Sequence, residues 1–199
     1  MTKSVLLVGV GGQGTILVSK LLTAGLVKAG FDVKMSEIHG MSQRGGSVST
    51  HVRYGEKVYS PVIEEGEADL LISFEKMEAI RWLKFLKPEG HLIVNNYKIN
   101  PLTVLIGKEI YPEKEIDEEL KLLSATVINA FDKASEIGNI KVMNVILLGT
   151  VVKIMNLEDI DWEEIIRNNV KAKFIDVNIK AFNEGIKLID KREGDIYAL

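Results

Sequence analysis

The sequence predicts an α/β fold of three layers, doubly wound around a mostly parallel sheet that includes one antiparallel hairpin. Three observations support this prediction. Short apolar runs typical of buried strands alternate with stretches of helical spacing. A glycine-rich turn joins the first apolar run to the first helical stretch. The 199 residues show no internal repeat and no linker, so we expect a single domain spanning residues 1–199.

The first three elements form a predicted β-α-β unit. Residues 4–10 are a continuous apolar run, which is typical of a buried parallel strand. Residues 13–29 carry apolar side chains at helical spacing, and Gly30 ends that helix. Residues 31–36 predict the second strand. The connection between the two strands should therefore be a right-handed crossover.

The antiparallel part of the sheet is predicted from a second group of strands. Residues 47–54 alternate between apolar and polar side chains, as a half-buried strand does. The turn at Gly55-Glu56 predicts that this strand forms a hairpin with residues 57–60. Residues 68–74 then predict another buried strand.

The rest of the chain continues the alternation of helices and strands. The predicted elements are a helix at 76–86, a turn at 87–90, strands at 91–95 and 125–130, a helix ending at Gly138, and helices at 142–155, 162–169 and 177–189. The helix at 142–155 is almost entirely apolar, so we expect it to be the most buried.

The turn after the first strand matches the pattern G-x-G-x-x-G at Gly9, Gly11 and Gly14. In a Rossmann-like fold, such a turn lets backbone N–H groups approach a phosphate at a helix N-terminus. Two residues depart from the dinucleotide pattern. Gln13 stands where a small or apolar residue is more usual. An acidic residue that binds a ribose normally ends its strand before an ordinary connection, whereas Glu37 leads directly into a polar loop. In the alternative interpretation, the glycines only let the helix pack closely on the strand.

The segment 37–50, EIHGMSQRGGSVST, has almost no apolar content and is long for a connection between two strands. Its Gly45-Gly46 pair could form an anion-binding nest. Arg44 and Gln43 could add side-chain donors to that nest. We therefore predict that this loop and the glycine-rich turn face one ligand.

His39 lies in the loop and is the better functional candidate of the two histidines in this region. His51 lies on a strand and is expected to be a packed residue. The predicted ligand-binding residues are Gly9, Gly11, Gly12, Gln13, Gly14, His39, Gln43, Arg44, Gly45, Gly46 and Ser47.

Composition and charge restrict the function further. The chain has no cysteine, which excludes disulfides, thiolate zinc sites and Fe–S clusters held by its own thiolates. The net charge is −3, yet the first 60 residues carry seven basic and three acidic side chains, which suits an anionic ligand. The sequence has no basic cluster with interleaved aromatics, so we expect no binding to nucleic acid. It also has no signal pattern and no apolar run long enough to span a membrane. We therefore expect a cytoplasmic protein that does not bind membranes. No catalytic triad, carboxylate pair, Walker lysine or metal-ligand set emerges, so no catalytic residue is assigned.

Three segments together carry a family resemblance: GVGGQG after the first strand, EIHGMSQRGGSVSTHVRYG, and VNIKAFNEG near the C-terminus. They closely resemble the gamma-type component of 2-oxoacid:ferredoxin oxidoreductases, and most closely the beta-subunit type of the indolepyruvate enzymes. The resemblance covers essentially the whole chain.

The resemblance implies that the chain is a subunit supporting oxidative decarboxylation of a 2-oxoacid, here an arylpyruvate. Coenzyme A accepts the acyl group and ferredoxin accepts the electrons. Thiamine diphosphate and the Fe–S clusters are expected in a larger partner subunit, so this chain should be inactive alone. Asn95-Asn96 lacks the Gly-Asp-Gly that precedes such a pair in thiamine signatures and is interpreted as a strand-end turn.

Three alternatives remain open from the sequence. The chain could serve a pyruvate or 2-oxoglutarate enzyme of the same family. It could be a free-standing NAD-binding oxidoreductase. It could also be a structural module whose loops only make an interface.

Overall fold

The computed structural model describes residues 2–39 and 45–196, and it contains one six-stranded sheet in the order β2-β3-β1-β4-β5-β6. The strands are β1 (Lys3–Val10), β2 (Asp32–His39), β3 (Ser47–Gly55), β4 (Ala68–Ser73), β5 (Leu86–Asn95) and β6 (Thr126–Ile128). Strands β1, β4, β5 and β6 pair in parallel, whereas β3 is antiparallel to both β1 and β2. The predicted mixed, mostly parallel sheet is therefore confirmed.

Helices cover both faces of this sheet. They are α1 (Thr15–Lys28), α2 (Lys76–Trp82), α3 (Leu102–Leu105), α4 (Glu113–Leu122), α5 (Ala130–Ile137), α6 (Met143–Ile154), α7 (Trp162–Asn169) and α8 (Ile175–Ile196). Because successive side chains of a strand point to opposite faces, Val5 and Leu7 share one core with α1 and α5–α8. Leu6 and Val8 share the other core with α2 and α4. The three-layer prediction is thus confirmed.

The most buried helix is α6, as its apolar sequence predicts. All residues from Met143 to Val152 are buried. Its closest neighbour is α8, and the two helix backbones approach each other at Gly149 and Gly185. Side chains larger than hydrogen would hold the helices apart at this point.

The second strand is longer than predicted. Residues 37–39 belong to β2 and pair with β3, with His39 opposite Val48, so less of the polar segment 37–50 is loop than the sequence indicated. Strand β2 runs parallel to β1, but β3 lies between them. The predicted β-α-β unit is therefore split by an intervening strand.

The predicted hairpin partner of β3 was wrong. Residues 57–60 form no strand, and β3 pairs instead with β2 and β1. Side chains satisfy the backbone of this segment: the Asp32 carboxylate accepts from the Val58 N–H, and the Arg53 guanidinium donates to the Ser60 and Val62 carbonyls. A second strand is therefore not required to pair these groups.

Helix α4 was not predicted from the sequence. Strand β5 begins at Leu86, before the predicted strand at 91–95. Its pairing with β4 is irregular in register between Ala68 and Leu70. Within the described part of the chain, no helix has the length and apolar character that a membrane span requires.

Candidate functional site

The carboxyl ends of the parallel strands form one edge of the sheet, and the glycine-rich turn lies on it. Strands β1, β4, β5 and β6 end there at Val10, Ser73, Asn95 and Ile128, and β3 begins there. Ligands of open α/β sheets bind in the crevice outside this edge. The predicted turn and the described stem of the predicted loop therefore lie together at this edge.

The glycines of the turn have different physical roles. A Cβ on Gly9 would lie 2.9 Å from the Gln13 Oε1 atom, and one on Gly14 would lie 2.3 Å from the Asn144 Nδ2 atom. Gly14 also has a φ of 82°, and its carbonyl accepts from that Asn144 amide. Close packing explains these two glycines. Gly12, with a φ of 104° and no heavy atom within 4 Å of a Cβ position, instead serves the backbone conformation of the turn and is exposed.

Gln13 shapes the turn from inside. Its Oε1 atom accepts from the Val10 N–H at 2.7 Å, and its Nε2 group donates to the Phe74 carbonyl at 2.8 Å. The side-chain amide thus ties the turn after β1 to the end of β4. The sequence predicts a ligand contact for Gln13, but in the structure its amide oxygen and one amide hydrogen are used within the fold.

The stem of the polar loop is bonded directly to the turn. The Gly11 N–H donates to the Gly46 carbonyl at 2.9 Å, and the Gly45 N–H donates back to the Gly11 carbonyl at 3.4 Å. These two bonds extend the β1–β3 ladder and fix the loop beside the turn. Gln43 and Arg44 lie outside the described residues, and of His39 only the backbone, in β2, is described.

Ser47 anchors the end of the loop. Its hydroxyl donates to the Glu78 carboxylate at 2.5 Å and accepts from the Trp82 indole N–H at 3.2 Å. Glu78 is buried in α2 and also pairs with Arg81. Ser47 therefore holds β3 against α2, so its hydroxyl contributes to loop position.

A cleft of about 470 Å³ opens beside the turn. Its lining residues are Gly11, Gly12, Gln13, Gly14, Tyr97, Ile99, Phe131, Ile140, Lys141 and Met143. Tyr97 and Phe131 stack with ring centroids 5.4 Å apart and an interplanar angle of 27°. Among the lining residues that the structure describes, Lys141 is the one cation. The cleft thus combines an aromatic surface, a positive charge and the exposed backbone of Gly12.

Beyond the turn, the sequence pattern pointed to none of the lining residues, among them Tyr97, Phe131 and Lys141. They follow β5, begin α5 and precede α6, so they are distant from the turn in sequence. The signal available was only an aromatic residue shortly after a predicted strand end. Helices α1, α5 and α6 all begin around the cleft, and their positive N-terminal ends favour an anion there.

The fully buried Asn95 connects the strand ends below the cleft. Its amide donates to the Phe74 carbonyl at 3.2 Å, and its Oδ1 atom accepts from the Ala130 N–H at 3.2 Å. The strand-end interpretation of Asn95 is confirmed. His51 is also packed, as expected, with its Nδ1 atom accepting from the Ile63 N–H, and burial lowers its pKa.

Buried Glu75 organises the segment that leads away from the cleft. Its carboxylate accepts from the Tyr111 hydroxyl at 2.7 Å, from the Ile99 N–H at 3.3 Å and, as the N-cap of α2, from the Glu78 N–H at 3.0 Å. These bonds fix both ends of residues 99–111. Across residues 2–39 and 45–196, no three His, Asp or Glu side chains converge to hold a metal ion.

Comparison with known proteins gives a consistent family. Residues 4–188 match the pyruvate ferredoxin/flavodoxin oxidoreductase family. The chain is 40% identical over 192 residues to the indolepyruvate oxidoreductase subunit IorB of Thermococcus kodakarensis. This alignment covers 92% of this chain and 94% of that protein.

Solved structures agree with the fold. The gamma subunit of a keto/oxoacid ferredoxin oxidoreductase from Geobacter sulfurreducens matches with a TM-score of 0.68 and 21% identity, over 94% of this chain and 97% of its own. The 2-oxoglutarate:ferredoxin oxidoreductase from Magnetococcus marinus, with 2-oxoglutarate, coenzyme A and succinyl-CoA bound, matches with a TM-score of 0.74 and 19% identity, over 96% of this chain and 31% of its own. At these identities the likeness concerns the fold alone.

Proposed function

The chain belongs to the pyruvate ferredoxin/flavodoxin oxidoreductase family, and we propose that it is the subunit of an indolepyruvate:ferredoxin oxidoreductase that carries neither thiamine nor Fe–S clusters. The observation that carries this proposal is the match to the Thermococcus indolepyruvate oxidoreductase subunit at 40% identity, over nearly the full length of both chains. The match favours an arylpyruvate over pyruvate or 2-oxoglutarate. It also favours a subunit over a free-standing NAD-binding oxidoreductase.

The complete enzyme would convert a 2-oxoacid and coenzyme A into acyl-coenzyme A and carbon dioxide, and would pass two electrons to ferredoxin. Fe–S clusters do not fit this chain, because it has no cysteine. The sequence also lacks the Gly-Asp-Gly that precedes the Asn pair of thiamine signatures. We assign these cofactors to a larger partner subunit, which would also contact ferredoxin.

The cleft beside the turn suits the phosphates and adenine of coenzyme A. The backbone of Gly12 and the N-terminus of α1 supply donors for a phosphate. Lys141 supplies a positive charge, and Arg44 lies on the loop whose stem is bonded to the turn. The Tyr97–Phe131 pair offers an apolar aromatic surface to a planar base. The pantetheine arm would then extend toward the thiamine of the partner.

We expect Arg44→Ala and Lys141→Ala each to raise the KM for coenzyme A about tenfold in the assembled enzyme, since a hydrogen bond to a charged group contributes about 1.5–3 kcal/mol. The KM for the 2-oxoacid should stay unchanged, because neither side chain is assigned to that substrate. Steady-state kinetics of ferredoxin reduction would measure both values.

Lys121→Ala is the matched control, because Lys121 is an exposed cation on α4, at the end of that helix near the start of β6. It should leave both KM values at the wild-type level. Wild-type coenzyme A kinetics in both the Arg44 and Lys141 variants would rule out the proposed coenzyme A site.

A further inference from the structure

An apolar segment follows the cleft along the same edge of the sheet. Leu102, Leu105, Ile106 and Ile110 are 72%, 68%, 55% and 90% exposed, and we call these four residues the apolar rim. The stretch from residue 102 to residue 110 contains only two charged side chains, Lys108 and Glu109. Ile140, which lines the cleft itself, is also exposed.

The rim is exposed although its backbone is well fixed. Glu75 holds both flanks through the Ile99 N–H and the Tyr111 hydroxyl. Within the segment, the Ile106 N–H donates to the Leu102 carbonyl, and the Lys108 N–H donates to the Thr103 carbonyl. Four large apolar side chains on an anchored segment remain exposed to water. Their exposure is unfavourable in free energy, and burying them would remove that cost.

Exposed apolar residues clustered in one short segment near a cleft are typical of a surface that another protein covers. Leu122, at the end of α4, has only Leu123 as an exposed apolar neighbour in sequence, and so small a group needs no such explanation. The rim lies near the cleft in the chain, because Ile99 lines the cleft and only Asn100 and Pro101 separate it from Leu102. A protein seated on the rim would therefore also border the cleft.

The comparisons indicate what kind of protein this is. In the Magnetococcus oxidoreductase, the same fold is about a third of a longer chain, so the remaining two thirds are attached to it covalently. The Thermococcus relative is a subunit that matches over 94% of its length, so there the module is a separate chain. A module that is a separate chain needs a non-covalent surface to stay with the rest of its enzyme.

We infer that the apolar rim docks the larger subunit of the oxidoreductase, so that the cleft opens onto the interface between the two chains. This inference rests on the proposed function. The surface of the larger subunit that faces the rim would be apolar, since the rim offers few charges to match. Docking there would place a ligand of the cleft between the two chains.

The test is the affinity of this chain for the larger subunit of the proposed oxidoreductase, measured by titration of the two purified chains. Leu105→Glu and Ile110→Glu should each weaken binding at least tenfold, because each buries a charge in an apolar contact. Leu122→Glu is the matched control: Leu122 is 81% exposed but lies at the far end of α4, and its replacement should leave binding within twofold of wild type. Thermal unfolding of each isolated variant should match wild type, because these side chains are exposed.

Wild-type affinity in both rim variants would overturn the inference while leaving the proposed function intact. Loss of binding in the Leu122 control equal to that in the rim variants would also overturn it. If the rim variants abolish self-association of this chain but not binding to the larger subunit, the rim binds a second copy and the inference is wrong. If the wild-type chain binds no larger subunit, the proposed function and the inference fail together.

Discussion

Replacing Gly185 with alanine is expected to destabilise the protein by about 2–3 kcal/mol or more, through overpacking of two helix backbones. A Cβ at this position of α8 would lie 2.0 Å from the Ile146 carbonyl oxygen and 3.0 Å from the Gly149 Cα atom of α6. Both obstacles are backbone, so no side-chain rotation can relieve the clash. The better helix propensity of alanine offsets only about 1 kcal/mol of this cost.

Denaturant unfolding of the Gly185 variant beside Lys187→Ala would measure this effect. Lys187 is an exposed residue of the same helix, so its replacement should change the free energy of unfolding by less than about 0.5 kcal/mol. For a chain of this length, we expect the melting temperature of the Gly185 variant to fall by roughly 5–10 °C. A Gly185 variant as stable as the Lys187 variant would show that the helices do not approach as closely as described.

Replacing Glu75 with alanine is expected to reduce the free energy of unfolding by about 3–4 kcal/mol, because it leaves several donors without an acceptor. The Tyr111 hydroxyl, the Ile99 N–H and the Glu78 N–H all lose their acceptor. Burial raises the pKa of Tyr111, and the hydrogen bond to Glu75 raises it further. The hydroxyl therefore keeps its proton and still requires an acceptor in the variant.

Two further variants separate this effect from simple loss of charge. Glu113→Ala removes a half-exposed carboxylate that pairs with Lys76 and Lys98, and should cost at most about 1 kcal/mol. Glu75→Gln keeps one acceptor oxygen and should be intermediate. Equal unfolding free energies for the Glu75→Ala and Glu113→Ala variants would contradict the anchoring role of Glu75.

Local sequence pattern was sufficient for elements whose environment is uniform. The apolar runs of β1 and β4 and the continuous apolar helix α6 are buried as predicted, because their periodicity directly reflects burial. The partner of β3 could not be predicted in this way. The turn at Gly55-Glu56 suggested a local hairpin, whereas the actual pairing is with β2 and β1, across the polar loop and the whole of α1.

The roles of individual site residues depended on contacts remote in sequence. Gln13 looked like a ligand donor, but its partner is the Phe74 carbonyl, 61 positions away. Ser47 likewise bonds Glu78, 31 positions away. Tyr97, Phe131 and Lys141 meet at the cleft only because parallel strands end at one edge. The location of the edge could therefore be predicted, but its full lining could not.

The measurement that tests the central claim most directly is ferredoxin reduction by the purified complex, supplied with indolepyruvate and coenzyme A. The account predicts that this chain purifies with a larger subunit containing thiamine diphosphate and Fe–S clusters. It also predicts activity that requires both chains and both substrates, with acyl-coenzyme A as the product. Purification of this chain without such a subunit, together with binding of NAD at the Gly9–Gly14 turn, would contradict the account.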